Sequence, residues 1–176
     1  IDYGESETIT VNVTGKNITG NVTIIIDDYE YDTIDLTQTE DGATAVLNIP
    51  GLSGGKHTVK AVYNGDDNHY SNQSEDQFEV SKVEPSIDVK PTDIDYGQDE
   101  DISITLTGVE GGSAPTGNVT VIVTNASGDV IFNDTVDLSD GKKTVTVPAN
   151  VLPAGEYHVT VTYNGDANYT DTVGNG

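Results

Sequence analysis

The chain has 176 residues, with thirty acidic side chains against seven basic ones, a formal charge of -23, and no Cys, Met or Trp. Such a charge repels nucleic-acid phosphates and anionic bilayers, and the lack of Cys removes disulfides and thiolate metal sites. Nucleic acid and direct membrane insertion are therefore excluded as expected partners. Apolar residues make up 34% of the chain with only two Phe, so the core falls to Val, Ile, Leu and Tyr, a palette suited to strands.

In chain order, Ile9, Val11 and Val13 alternate with polar residues, the period of a half-buried strand. Further strands are expected at Val22 to Ile26 and Thr33 to Leu36, separated by Gly, Asn and Asp clusters. A Gly-rich corner, Leu52 to Gly55, leads into His57, Val59, Ala61 and Tyr63, and the run closes on Tyr63-Asn64-Gly65-Asp66. A closing strand near Gln77 to Val80 follows. Two Pro-containing dipeptides, Glu84-Pro85 and Lys90-Pro91, then flank an opening strand near Ile87 to Val89.

The pattern now repeats. Ile1-Asp2-Tyr3-Gly4 returns from Ile94, Thr19-Gly20-Asn21-Val22-Thr23 from Thr116, and Tyr63-Asn64-Gly65-Asp66 from Tyr163, at offsets of 93, 97 and 100 residues. Motifs that keep their order while loops lengthen mark a tandem duplication. Strands are expected again at Ile102 to Leu106, Val119 to Val123, Thr135 to Leu138 and Tyr157 to Tyr163. The loop Gly108 to Gly117 is four residues longer than Gly15 to Gly20. The resulting division is a first repeat over 1–82, a linker with an opening strand over 83–93, and a second repeat over 94–176. Nothing before Ile1 matches the opening strand, and no apolar alternation follows Thr170, so the first repeat is expected to lack its first strand and the second its last. The fold class is all-β, two tandem immunoglobulin-like sandwiches. Tyr157 stands where such a sandwich carries its tyrosine corner, His57 holds that place in the first repeat, and Tyr63 and Tyr163 face the cores.

The run Tyr163 to Tyr169, with its first-repeat counterpart, resembles the end motif of bacterial and archaeal Ig-like repeat domains, abundant in adhesin-like surface proteins of methanogenic archaea. The first copy departs from it, since His69 is read as an extra residue between Asn68 and Tyr70. The resemblance implies an extracellular, non-catalytic stalk or adhesion module. Neighbouring repeats, further copies, or a cell-surface glycan or protein would be its partners. A filament or surface-layer subunit joined by exchanged strands, and a glycan- or protein-binding module, are the alternatives.

Little chemistry is in sight. His57, His69 and His158 are dispersed by alternation, which argues against a zinc triad or a nucleophile and base pair. No cofactor is expected other than calcium, for which Asp66 and Asp67, the run Asp99 to Asp101, and Glu84, Asp88, Asp93 and Asp95 are the candidate ligands. A Lys-Asn isopeptide bond would fall to Lys60 or Lys90. Sequons at Asn12, Asn17, Asn21, Asn72, Asn118, Asn125, Asn133 and Asn168 are candidate glycosylation sites, and their density fits a secreted chain.

Overall fold

In the computed structural model, which describes all 176 residues, the alternating segments pair into four antiparallel sheets, two in each of the units Ile1–Ser81 and Lys82–Gly176. The first unit has β1 (Glu7–Thr14), β2 (Asn21–Ile26), β3 (Tyr29–Asp35), β4 (Thr37–Thr39), β5 (Gly42–Ile49), β6 (Gly55–Tyr63) and β7 (Asn72–Val80). Its sheets run β1-β5-β4 and β3-β2-β6-β7. Inward residues of both, among them Val22, Ile24, Ala43, Ile49 and Tyr63, form one core, which is the sandwich that two half-apolar sheets must make to remove those faces from water.

The second unit has β8 (Ser86–Lys90), β9 (Glu100–Thr107), β10 (Asn118–Asn125), β11 (Val130–Asp137), β12 (Lys142–Val147), β13 (Tyr157–Tyr163) and β14 (Thr172–Asn175). The orders are β12-β9-β8 and β11-β10-β13-β14. Ile102, Ile104, Val119, Val121, Val161 and Tyr163 are buried here. The one helical element is a three-residue 3-10 turn, Ala149–Val151. Tyr63 and Tyr163 both point into their cores, at 5% and 0% exposure.

Two expectations need correction. The second repeat does have a last strand: β14 pairs with β13 through Thr160↔Asn175 to Tyr163↔Thr172. It escapes notice in the sequence because its buried position is Gly174 while Val173 faces solvent. A side chain at Gly174 would meet Val89 and Ile87 at 2.8 and 3.1 Å, so the inward place has no room for the apolar residue that alternation looks for. His69, secondly, is not an insertion. Gly65 lies against His69, Tyr70 and Ser71 as Gly165 lies against Tyr169, Thr170 and Asp171, so His69 takes the place of Tyr169 and Tyr70 is a fully exposed loop residue.

The units differ at one edge. In the second, β8 pairs with β9 from Ser86↔Thr107 to Lys90↔Ser103. In the first, β1 has β5 on one side and no strand on the other.

Candidate functional site

The repeated Tyr-Asn-Gly-Asp motif gathers polar side chains at one place in each unit, and its atoms are spent on the fold. In the second unit the Tyr163 hydroxyl donates to the Thr116 carbonyl at 2.7 Å, and the Asn164 amide donates to Asn118 Oδ1 at 2.6 Å. One oxygen of Asp166 accepts from the Thr116 N–H and hydroxyl, each at 2.9 Å. The other accepts from the Asn168 and Tyr169 amides. The first unit repeats the arrangement through Tyr63 to Thr19, Asn64 to Asn21, and Thr19 and Asn68 to Asp66. His69 Nδ1 takes the remaining place on Asp66 at 2.7 Å.

These bonds stabilise the charged carboxylate. The Thr19 amide, with further help from Asn68 and His69, holds Asp66 well below the usual carboxylate range. At Asp166 burial works the other way, but the Thr116, Asn168 and Tyr169 amides outweigh it and the group is again lowered. Burial, reinforced by the Asp166 charge, pushes the Tyr163 phenol up. The Gly of the motif adopts φ +83° and +76° in the two units, a backbone state that favours glycine.

The tyrosine corner is present in two chemical versions. The Tyr157 hydroxyl donates to the Pro153 carbonyl four residues back. His57 places Nε2 2.8 Å from the matching Ser53 carbonyl, and its Nδ1 lies 2.6 Å from Asp27 Oδ2. Asp27 and Asp28, with φ of 49° and 68°, form the two-residue turn of the β2-β3 hairpin, so the turn is tied to the corner. Burial disfavours the imidazolium, yet the Ser53 carbonyl and Asp27 together raise the His57 pKa.

The profile of the bacterial Ig-like domain (group 3) matches residues 1–81 and 87–175. The chain belongs to this family. Ig-like domains of this kind are structural or binding modules and are generally non-catalytic. No curated protein matches the sequence. Among solved structures, the amphioxus IgVJ-C2 molecule is similar at 12% identity and a TM-score of 0.47, with 100% of this chain and 97% of that one covered. Dimeric latent PorU from Porphyromonas gingivalis is similar at 15% identity and a TM-score of 0.40. Bacteroides uniformis beta-glucuronidase 3 follows at 14% and 0.35. Ninety-nine per cent of this chain is covered in each, against 18% of PorU and 23% of the glucuronidase. None of these likenesses bears on function.

Within the Ig-like pair the candidate calcium ligands do not converge, and no three His, Asp or Glu side chains are grouped to hold a metal. Glu84 accepts from the Thr172 hydroxyl at 2.8 Å and Asp88 pairs with Lys90 at 3.0 Å. Asp67, Asp93 and Asp95 are exposed. Asp99, Glu100 and Asp101 accept separately from the Ala149 amide, from Thr92 and from the Thr146 hydroxyl. Lys60 ends on Glu75 at 3.1 Å, so both lysines considered for a covalent bond face surface carboxylates. The histidines stay apart: His57 is in its corner, His69 is on Asp66, and His158 is exposed beside Asn175. Asn12, Asn17, Asn72 and Asn133 are exposed, whereas Asn21, Asn118, Asn125 and Asn168 are half-buried. No helix is long and apolar enough to cross a membrane.

Sequence reasoning missed the part played by Tyr169. Its hydroxyl donates to the Ser113 carbonyl at 2.6 Å and accepts from the Val109 N–H at 3.2 Å, which fixes the longer loop. In the first unit, with His69 at this place, the shorter loop instead buries Ile18 at 2% exposure.

Proposed function

We propose that these two Ig-like repeats are a load-bearing, non-catalytic spacer of an extracellular, adhesin-like surface protein. The observation that carries this reading is the duplicated Tyr-Asn-Gly-Asp corner, whose hydroxyl, amide and carboxylate are all committed to bonds within their own unit. A polar cluster reserved for ligand or substrate would leave donors or acceptors facing solvent. Here the motif staples the loop after β6 or β13 to the residues leading into β2 or β10. The acidic surface and the density of sequons support an extracellular setting, because both keep a protruding chain hydrated and unsticky.

Pulling on single chains between the termini tests the proposal. Two separate unfolding events are expected, each releasing about 300 Å of chain at ~3.6 Å per residue. Asp166→Ala is expected to lower the force of one event and leave the other unchanged. Repeats that extend without any force peak would exclude a load-bearing role.

A further inference from the structure

Because the two repeats share one fold, an exposed feature present in only one of them is not required by that fold. One such feature is an aromatic pair on β3. Tyr29 and Tyr31 are 80% and 46% exposed, so neither ring gains the burial that makes large aromatic side chains stabilising. Counting back from Asp32 and Asp134, which lie opposite the matching residues Ile24 and Val121, the second repeat has Ile131 and Asn133 at these places. Its hairpin forms without an aromatic ring at either.

The backbone differs at the same point. In the pairing of β2 with β3, Ile24 lies opposite Asp32 and Ile25 opposite Glu30, so Tyr31 is the extra residue of a bulge, whereas β11 bulges at Ile131. A bulge re-aims the side chain of its extra residue and interrupts the edge that an added strand would need, which leaves side chains as the means of recognition. The turn before the pair is held in place as well. Asp27 lies 2.6 Å from His57 Nδ1 and accepts from the Thr58 N–H at 2.9 Å, while Tyr157, the corner residue of the second repeat, bonds to Pro153. Rings carried on an ordered turn lose little freedom when they bind. Asp28, Glu30 and Asp32 flank the rings, are exposed, and take no part in the side-chain ion pairs of the molecule.

We propose that Tyr29 and Tyr31 form a docking site for a basic segment of a partner protein, whose arginine side chains stack on the rings and pair with Asp28 and Glu30. Arginine meets both demands, since its planar cation packs on an aromatic face and still donates to carboxylates from its edge. A neutral glycan would use the rings and leave the acids unanswered. An acidic partner would be repelled, and a second copy of this chain brings a charge of -23.

The experiment titrates the isotopically labelled 176-residue chain with an alternating glycine-arginine peptide, at about 0.15 M sodium chloride so that long-range attraction is screened. Saturable amide shifts centred on residues 27–32 are expected. Tyr29→Ser combined with Tyr31→Ser removes the rings and no charge, and should weaken binding about tenfold. Tyr29→Phe combined with Tyr31→Phe keeps the rings and should bind as the parent does. Glu110→Gln combined with Glu156→Gln removes two exposed acids from the second repeat and should change affinity by less than about twofold. Unchanged affinity in the serine variant, or shifts spread over the acidic surface, would reduce the effect to net charge and overturn the proposal. So would an absence of binding, or shifts at residues 27–32 produced by the neutral oligosaccharide maltohexaose and not by the peptide.

Discussion

His57 shows how one residue can change the conditions under which a corner holds. Tyr157 spans its corner with a neutral hydroxyl, whereas both ring nitrogens of His57 face acceptors, the Ser53 carbonyl and the Asp27 carboxylate. Both positions are filled as donors only in the imidazolium. The folded chain therefore binds that proton more tightly than the unfolded one, and the stability it contributes is present below pH 6.5 and is lost as pH rises through the elevated folded value. Asp27 is shifted the opposite way, with the His57 bond the main cause, so its share is present above pH 3.8 and is lost as pH falls through its lowered folded value. The first unit is expected to be most stable in mildly acidic solution and to weaken from neutral to alkaline pH. His57→Tyr, which installs the residue of the second repeat, should flatten that decline. Chemical denaturation at several pH values between 5 and 9 measures it, and a variant that keeps the wild-type slope would show that His57 is not its source.

At the scale of the element, the loop Gly108 to Gly117 is organised by a side chain more than fifty residues away. A Cβ at Gly108 would lie 2.2 Å from the Tyr169 hydroxyl. The absence of a side chain there is what lets the phenol reach Val109 and Ser113. Tyr169→Phe is expected to cost about 1 to 3 kcal/mol by leaving those backbone groups without their partner, and Gly108→Ala a similar amount through crowding. The double variant should cost less than the sum, since removing the hydroxyl relieves part of the clash. Urea denaturation of the second unit, Lys82–Gly176, reads all three, and strict additivity would separate the two residues.

That coupling was beyond the reach of the sequence, as were other features, for physical reasons. Alternation revealed β1, β2, β9, β10 and β13 because their inward places hold large aliphatic residues. It failed for β5, where Ala43 and Ala45 take two of the four inward places, leaving Leu47 and Ile49 as the large ones, while Val46 lies 56% exposed on the outside, and for β14, where Gly174 is inward. The Tyr-Asn-Gly-Asp motif was legible as a repeat and as a turn. What its Asp binds was not: acidic residues beside asparagines look like metal ligands until the Thr19 and Thr116 amides are placed on the carboxylates.

The charge belongs to the molecule as a whole. Ile1–Ser81 holds fifteen acids and three lysines, and Lys82–Gly176 fifteen acids and four. Each unit therefore folds against its own repulsion, and only His57, Lys60, His69 and Lys90 enter side-chain ion pairs with acids. Repulsion among exposed charges is screened by salt, with a Debye length near 30 Å at 0.01 M that falls to about 3 Å at 1 M. The few surface ion pairs are weakened by the same screening, but exposed pairs contribute about 0 to 1 kcal/mol each, too little to offset relief of the net charge. Raising sodium chloride from 0.01 to 1 M should therefore raise the melting temperature of both units, and by similar amounts because their charges are nearly equal. Calorimetry on the whole chain and on each unit expressed separately measures this. A unit that melts lower in salt would mean that its ion pairs outweigh its net charge.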